Sequence, residues 1–294
     1  MAAAREQTVD VDGRSLRFTS LDKVLYPSTG TTKREVLEYL EAIAPVMLPH
    51  LVDRPATRKR WPHGVGTAEA PGESFFQKNL DRSTPEWVAR GTQQHQDHSN
   101  DYPLVNDLPT LLWLGQIGAL EVHVPQWRFG DRHPLSPDRL VLDLDPGEGA
   151  DISHCVMVAK LLRERLADRG FDPFPVTSGS KGIHLYAAAD GSRTSDELTD
   201  LAHEVAEQLE AERPDLVVSN IRKAKREGRV FVDWSQNRAS KTTVSPYSLR
   251  GRARPWVAAP RTWEELDDPD LKQLEFREVL ERVEREGDLL ANLP

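Results

Sequence analysis

The sequence has a single cysteine, Cys155, among its 294 residues, and it has no long hydrophobic run. One thiol excludes an internal disulfide and any zinc site built from several cysteines, and it fits a reducing compartment. A membrane-spanning helix needs about 20 consecutive apolar residues, and no stretch of the sequence approaches that length. The start, Met-Ala-Ala-Ala-Arg-Glu-Gln, lacks the apolar core of a secretion signal. We therefore expect a cytoplasmic protein with no membrane partner.

The net charge of −9 argues at first against binding to a polyanion. The distribution of charge reverses this impression, because basic residues cluster while many acids lie near the C-terminus. One cluster contains Arg54, Arg58, Lys59 and Arg60. A longer one, interrupted only by the acids Glu227 and Asp233, contains Arg222, Lys223, Lys225, Arg226, Arg229, Arg238, Lys241, Arg250, Arg252 and Arg254. This asymmetry predicts a basic working face on an acidic protein body.

Two aspartates at the end of an apolar strand are the feature around which the sequence is organised. Leucines occupy every second position of residues 139–145, so Asp143 and Asp145 share the other face, with Cα atoms about 6.6 Å apart. Two neighbouring carboxylates repel each other unless a cation neutralises them. Hard oxygen ligands suit Mg²⁺ or Mn²⁺ rather than zinc or copper. A solvated strand end before the turn at Pro146 fits the triplet equally well.

A third acid, Asp233, lies in the apolar stretch 230–237, which also has strand character. Val232 and Trp234 flank it and must face a core, which leaves Asp233 on the opposite face. Three carboxylates on separate strands can hold two metal ions roughly 3.5–4 Å apart. The sequence therefore predicts a two-metal site if the strands meet.

Residues 178–186, Ser-Gly-Ser-Lys-Gly-Ile-His-Leu-Tyr, form a tight turn between two predicted strands. Small residues let backbone N–H groups approach phosphate oxygens, and Lys181 adds a positive charge. The spacing of a Walker A loop is missing, and no helix follows directly. A plain hairpin turn explains the glycines, but it does not explain Lys181 together with His184.

Lys23 and Lys33 flank the predicted start of a helix. Thr32 and Glu35 have the spacing of a capping box, and the free N–H groups of a helix start attract anions. The pair therefore indicates an anion site, although two surface lysines beside an ordinary cap fit the same pattern.

Two further stretches contain candidate residues, one for stacking on a base and one for lining a cleft. Phe75 and Phe76 are adjacent in a short strand beside Lys78, so at least one ring is a candidate for exposure and stacking. His123 shares a strand face with Glu121, which makes it a candidate cleft residue. Core phenylalanines and a satisfied core histidine are the alternatives.

The remaining pattern predicts one compact unit, residues 1–294, in which strands alternate with helices. Residues 1–8 are expected to be disordered and 9–18 to form a hairpin. Helices are predicted for residues 32–48, 110–120, 152–169 and 194–211, the last of them from a second capping box, Thr194 with Glu197. Two acidic helices within 262–294 are predicted to follow and to pack on the outside. The polar tract 83–108 is expected to be loop-like, with His95 and His98 solvated.

Six motifs resemble the polymerase domain of bacterial DNA ligase D, a member of the archaeo-eukaryotic primase superfamily, in its actinobacterial, mycobacterial-type form. The resemblance covers nearly the whole chain. The motifs are Arg-Pro-Ala-Thr-Arg-Lys-Arg-Trp-Pro (54–62), Glu-Val-His-Val-Pro-Gln-Trp (121–127), Asp-Leu-Asp-Pro-Gly-Glu-Gly (143–149), Thr-Ser-Gly-Ser-Lys-Gly-Ile-His (177–184), Phe-Val-Asp-Trp-Ser-Gln-Asn (231–237) and Pro-Tyr-Ser-Leu-Arg-Gly-Arg (246–252). The implied fold is an α/β (α+β) primase-like catalytic core with antiparallel, partly RRM-like sheets flanked by helices.

The resemblance also implies roles for the candidate residues. Asp143, Asp145 and Asp233 match the catalytic, metal-binding acids. The implied nucleotide site comprises His123, Ser178, Ser180, Lys181, His184, Lys241 and Arg252. Lys23 and Lys33 match the pocket for a DNA 5′-phosphate, while Phe75, Phe76 and Lys78 match the residues that contact the template.

The implied activity is template-dependent nucleotidyl transfer that fills gaps and extends ends at DNA breaks in non-homologous end joining. The family uses two Mn²⁺ (or Mg²⁺) ions, accepts NTP and dNTP and prefers ribonucleotides. Gapped or broken DNA, the protein Ku, and ligase and phosphoesterase domains are the implied partners, with a nucleoid-associated location. The sequence has neither the Cys/His zinc module of replicative primases nor a Lys-x-Asp-Gly ligase motif.

Two other functions remain as alternatives. A Mn²⁺-dependent glycosyltransferase also places Asp-x-Asp at a strand end, but it explains neither Asp233 nor the basic tracts. A non-catalytic module that bridges DNA ends explains Lys23, Lys33 and the basic loops without any chemistry.

Overall fold

A computed structural model describes residues 6–94, 98–130 and 134–294. Within these ranges the strands are β1 (Gln7–Val11), β2 (Arg14–Phe18), β3 (Val24–Tyr26), β4 (Thr31–Thr32), β5 (Thr57–Arg60), β6 (Phe75–Gln77), β7 (Arg90–Gln94), β8 (Ser99–Pro103), β9 (Ala119–Val124), β10 (Arg139–Pro146), β11 (Pro173–Thr177), β12 (Ile183–Ala188), β13 (Val217–Val218), β14 (Val230–Asp233), β15 (Thr243–Val244) and β16 (Ala259–Pro260). The helices are α1 (Lys33–Met47), α2 (Leu108–Gln116), α3 (Ile152–Ala167), α4 (Ser195–Glu212) and α5 (Phe276–Glu286).

The larger sheet has the strand order β13-β14-β10-β12-β11-β16, and all its pairings are antiparallel except that of β13 with β14. The alternation along β10 explains its central position. Leu140, Leu142 and Leu144 are buried in a core built with α3 and α4. Val141 lies on the other face, in a separate small core with Tyr186. The acids of β10 therefore lie on the face that α3 and α4 do not cover.

A four-stranded sheet with the order β15-β9-β5-β6 forms the second layer. Its core includes residues of α1, α2 and α5, with Tyr39 of α1 packed edge-on against Phe276 of α5. The Tyr186 hydroxyl of the larger sheet donates a hydrogen bond to the Val244 carbonyl of β15, 2.9 Å away. This contact joins the two sheets, and the predicted fold class, mixed α/β with antiparallel sheets and flanking helices, is confirmed.

The helix starts agree with the capping signals in the sequence. Thr32 accepts a hydrogen bond from the Glu35 N–H, and Glu35 accepts one from the Thr32 N–H, as a capping box requires. Thr194 and Glu197 do the same at α4. The β1–β2 hairpin turns at Asp12 and Gly13, both with positive φ. Short polar side chains and glycine tolerate this conformation best, so local chemistry predicted these elements correctly.

Four predictions about local structure were wrong, three of them before residue 121 and one in the C-terminal region. A disordered tail was predicted for residues 1–8, but Gln7 and Thr8 belong to β1. Residues 1–5 lie outside the described part of the chain. The helix predicted for 110–120 ends at Gln116, and Ala119 begins β9, because Gly118 takes a positive φ between them. The tract 83–108, predicted to be loop-like, contains the hairpin β7–β8. Its cross-strand residue pairs are polar or include glycine, except at its end. His95 is not among the described residues.

The C-terminal region has one α-helix, α5, where two were predicted. The acidic residues Glu264–Asp267 form only a short 3₁₀ turn. Phe276 and Val279 anchor α5 in the first core, while the acids lie outside. No described helix is long and apolar enough to cross a membrane.

Candidate active site

The three candidate acids lie on one face of the larger sheet. Asp143 is directly opposite Asp233 in the pairing of β10 with β14, and opposite residues of an antiparallel pair point to the same face. Asp145 is two residues further along β10 and therefore shares that face. On the other side of β10, His184 of β12 is opposite Asp143. The register thus forms one row, Asp233–Asp143–His184, with Asp145 beside it.

This arrangement concentrates negative charge. Burial, followed by the charges of Asp145 and Asp233, raises the pKa of Asp143 well above its usual range. Burial and the charge of Asp233 also raise the pKa of Asp145, although Asp145 lies at the accessible exit of the strand. The positive charges of Arg226 and Arg250 oppose both shifts without cancelling them. A bound cation would relieve this repulsion.

The donor set fits a divalent ion in chemistry, because carboxylate oxygens are the ligands that Mg²⁺ and Mn²⁺ prefer. As placed, however, no three described His, Cys, Asp or Glu side chains form a group that could hold a metal ion. Asp233 is instead engaged by the turn that follows it. Its Oδ1 accepts hydrogen bonds from the Ser235 N–H (3.1 Å) and hydroxyl (2.6 Å), and its Oδ2 accepts one from Gln236 (2.8 Å). Ion binding by all three acids therefore requires Asp233 to share or release these bonds.

His184 is a buried neutral base beside Asp143. Its Nε2 lies 3.4 Å from Asp143 Oδ1, and its Nδ1 is buried with no hydrogen-bond partner among the described residues. Burial, and then the charge of Arg250, lowers the pKa of His184 to about 3. His184 therefore offers hydrogen bonding at the site, but it does not offer a positive charge at neutral pH.

The turn after β11 differs from the predicted cradle of free N–H groups. The Ser178 hydroxyl accepts hydrogen bonds from the N–H groups of Ser180 (3.3 Å) and Gly182 (3.1 Å). The Gly179 N–H donates to Gln273, and its φ of 65° suits glycine, where a Cβ would also lie 2.8 Å from the Val257 backbone. These bonds engage three N–H groups of the turn, two of them with the Ser178 hydroxyl and one with Gln273. The half-buried Ser180 and the exposed Lys181 remain as its polar side chains for a phosphate.

Arg250 is a candidate site residue that the sequence marks only as a member of a basic cluster and of the motif 246–252. Its Nη1 donates a hydrogen bond to the Ser178 carbonyl, and its Nε lies 3.3 Å from Glu121 Oε1. It is therefore the cation held between the turn and the second sheet. Arg252, which was singled out, is exposed, and its charge acts on Asp145. Lys241 is exposed and has no ion pair within the described residues. Only the apolar neighbours of Arg250 in the sequence hint at its burial.

The second sheet adds a row of side chains from three strands. Lys59 of β5 is opposite both Phe76 of β6 and Glu121 of β9, so the three share one face. The Lys59 Nζ lies 5.2 Å from the Phe76 ring centroid, within the range of a cation–π contact. His123 lies on the same face of β9. Its Nε2 forms a 2.8 Å hydrogen bond with Glu121 Oε2, and its ring packs edge-on against that of Phe76, with the ring centroids 5.5 Å apart.

Both adjacent phenylalanines are exposed, 46% for Phe75 and 58% for Phe76. They point to opposite faces of β6, as strand geometry predicts. Phe75 contacts Arg60, whose guanidinium carbon lies 5.3 Å from its ring centroid. Lys78 is exposed just beyond the strand. Exposure of two large aromatic rings excludes the alternative that both belong to the core.

Lys23 and Lys33 line one cavity of about 270 Å³, together with Arg60, Gln116 and Ser20. The Lys33 Nζ donates to the Thr19 carbonyl (3.1 Å), and the Lys23 Nζ donates to the Pro62 carbonyl (2.6 Å). Burial, and then the charge of Lys23, lowers the pKa of Lys33 to about 8. Within the part of the chain that the structure describes, the lining contains three cations and no carboxylate, which is the composition of an anion site.

The chain is similar to known proteins in sequence and in structure. A family model described as "LigD, primase-polymerase domain" matches residues 32–290. The multifunctional non-homologous end joining protein LigD of Mycobacterium bovis is 51% identical over 299 residues, which cover 100% of this chain and 38% of that protein. The bifunctional non-homologous end joining protein LigD of Bacillus subtilis is 33% identical, over 92% of this chain and 43% of its own length.

A solved structure, described as the polymerase domain from Mycobacterium tuberculosis ligase D in complex with DNA, is similar throughout. It has a TM-score of 0.90 and 52% sequence identity, and the match covers 94% of this chain and 96% of that one. The chain thus spans well under half the length of these full-length LigD relatives but nearly all of the solved polymerase domain. The chain belongs to the LigD primase-polymerase domain family.

Proposed function

We propose that this chain is the catalytic unit, residues 1–294, that adds nucleotides to DNA ends and fills short gaps during non-homologous end joining. Membership of the LigD primase-polymerase family makes it a nucleotidyltransferase. The observation that carries the proposal is the row Asp233–Asp143–His184, with Asp145 beside it, next to a turn that Arg250 holds. The excess negative charge of the three acids suits metal ions, and the fixed positive charge of Arg250 suits a triphosphate.

Asp143, Asp145 and Asp233 are the residues that hold the divalent ions in this proposal. When bound, two such ions favour deprotonation of the primer 3′-hydroxyl and neutralise the leaving pyrophosphate. Ser180, Lys181 and Arg250 bind and orient the triphosphate. His184, held neutral, orients Asp143 and offers its unpaired Nδ1 to the bound ligand. We propose Mn²⁺ as the more active ion and ribonucleotides as the preferred substrates.

The DNA lies along the second sheet in this proposal. The exposed rings of Phe75 and Phe76, with Lys78 beside them, stack on and hold the template. The lysine cavity receives the 5′-phosphate on the far side of the gap. Several charge contacts to phosphates imply that affinity falls steeply with salt. The M. tuberculosis polymerase domain, a complex with DNA, supports DNA as the ligand of this chain. Ku and the other domains of a LigD protein are the proposed partners.

The test is extension of a primer across a one-nucleotide gap, with ribo- or deoxynucleotides, in Mn²⁺ or Mg²⁺, and with a 5′-phosphate or 5′-hydroxyl downstream. We expect templated incorporation that requires a divalent ion and is stimulated by the 5′-phosphate. Binding to the gapped duplex that is unchanged by EDTA, with no incorporation in any combination, would instead favour a module that only bridges ends. The lysine cavity, lined by Lys23 and Lys33, favours this second function, because binding a 5′-phosphate there needs no catalysis.

The two phenylalanines separate template stacking from general DNA affinity. Phe76→Ala is expected to weaken binding of a gapped duplex about tenfold, because stacking of one base on an aromatic ring contributes ~1–3 kcal/mol. Phe75→Ala is expected to have a comparable effect through the opposite face of β6. Fluorescence anisotropy with a labelled duplex measures both.

Met157→Ala is the matched control, because Met157 is exposed to a similar degree on α3, far from the second sheet. Equal affinities for Phe75→Ala, Phe76→Ala, Met157→Ala and the unchanged protein would remove the stacking role.

A further inference from the structure

Glu121 is a buried acid that the proposed mechanism does not use. Its side chain is 3% exposed, and it is separate from the three acids of the larger sheet. A carboxylate rarely stays ionised in such a place without compensating partners. Glu121 nevertheless remains ionised, because the His123 hydrogen bond and the charge of Arg250 outweigh the effect of burial and lower its pKa to about 2.

Each oxygen of Glu121 contacts a different part of the nucleotide site. Oε2 is 2.8 Å from His123 Nε2 on the same strand. Oε1 accepts a 3.0 Å hydrogen bond from the Gly251 N–H and lies 3.3 Å from the Arg250 Nε. Glu121 thus connects His123, which packs against Phe76, with the loop residue that holds the Ser178 turn.

An ionised carboxylate can only accept a hydrogen bond, so the contact with His123 requires the proton to be on Nε2. Burial lowers the pKa of His123, although Glu121 opposes this shift. At neutral pH the ring is therefore uncharged, with Nδ1 as a bare acceptor. The ring is 13% exposed, and no other hydrogen bond of His123 is formed by the described residues.

We propose that Glu121 is a positioning residue, whose carboxylate holds His123 in the Nε2–H tautomer against Phe76 so that Nδ1 is presented to the nucleotide site as an acceptor. The proposal rests on the proposed function for its kinetic consequence, but the tautomer itself is independent of activity. A hydrogen-bond acceptor at this position suits a hydroxyl or amino group of the nucleotide and does not suit a phosphate oxygen. It also explains why an acid is buried on a strand that lies beside an anionic substrate.

Glu121→Gln tests the proposal because it keeps the size of the side chain. Its amide oxygen can still accept from Gly251, whereas its NH₂ group now faces His123 Nε2 and requires the Nδ1–H tautomer. In the nucleotide-free protein labelled with ¹⁵N-histidine, we expect the NMR signals of His123 to show Nε2–H in the unchanged protein and Nδ1–H in the variant. Glu121→Gln is expected to lower kcat/KM for UTP on a gapped, 5′-phosphorylated duplex by about tenfold to a hundredfold, mainly through KM.

Two controls distinguish positioning from a structural role. Glu212→Gln alters another glutamate that pairs with an arginine, Arg165 of α3, and it lies on α4, which covers the face of the larger sheet opposite the three acids; it is expected to leave kcat/KM unchanged. In a His123→Ala background, Glu121→Gln is expected to cost less than about twofold, because the residue through which it acts is already missing.

Three results would overturn the proposal. They are Nδ1–H in the unchanged protein, an unchanged tautomer in folded Glu121→Gln, and an equal kinetic loss with and without His123. If Glu121→Gln does not fold, the tautomer of the unchanged protein still decides. Absence of all incorporation with the expected tautomer change would contradict the proposed function while leaving the positioning of His123 by Glu121 in place.

Discussion

Asp145→Asn is expected to reduce nucleotide incorporation about a thousandfold or more, because it removes one of the oxygen ligands that hold the divalent ions. The same change is expected to raise the melting temperature of the metal-free protein by about 2–4 °C. Asp145 repels Asp143 and Asp233 across the sheet, and Asn removes that repulsion at nearly constant volume. Activity and stability should therefore change in opposite directions, which a merely misfolded variant cannot imitate.

The measurement combines single-nucleotide gap filling with thermal unfolding in EDTA and in Mn²⁺ or Mg²⁺. The unchanged protein should gain stability from the divalent ion, since a ligand that binds only the folded state raises its free energy of unfolding. Asp145→Asn should lose most of that gain and still bind gapped DNA. Asp200→Asn, an exposed charge change on α4, should alter none of these quantities. Normal incorporation by Asp145→Asn would refute the metal site.

A 5′-phosphate is expected to strengthen binding to a gap, and Lys33→Met is expected to abolish this advantage. Binding of Lys33→Met to a phosphorylated gap should therefore be about ten- to a hundredfold weaker than that of the unchanged protein. A charge-assisted hydrogen bond contributes about 1.5–3 kcal/mol, which corresponds to that range. Binding to the same gap with a 5′-hydroxyl should not change. Lys160→Met, which removes an exposed lysine paired with Asp267 on another surface, should leave the advantage intact.

Binding of a 5′-phosphate in the lysine cavity should also depend on pH, in a direction set by the charge of Lys33. Its pKa of about 8 in the free protein means that the ammonium loses its proton as pH rises from 7 to 9. A 5′-phosphate stays dianionic over this interval, because its second pKa is near 6. The 5′-phosphate advantage should therefore fall as pH rises through about 8, and Lys33→Arg should remove the fall, since arginine stays charged. An advantage that is constant with pH in the unchanged protein would contradict the role of Lys33.

Short-range chemistry determined the local elements. Capping boxes at Thr32 and Thr194 predicted two helix starts, and alternation along 139–145 predicted the central strand with two acids on one face. The failures have physical causes as well. The polar hairpin β7–β8 has no apolar alternation to reveal it, and the acidic stretch near residue 264 lacks enough buried apolar residues to hold a full helix.

The sequence by itself determined the family and named the candidate residues, because the family motifs are contiguous and each is readable along one strand or turn. Only the tertiary structure decided how those motifs meet. The register across three strands aligns Asp233, Asp143 and His184, and it is set by pairing between segments about 40 to 90 residues apart in the chain. The burial of Arg250 and Glu121, the hydrogen bonds that Gln273 and Arg250 make with the Ser178 turn, and the lowered pKa of Lys33 likewise depend on neighbours that are distant in sequence. Their charges and hydrogen bonds exist only once the two sheets have packed together, so no local pattern could have contained them.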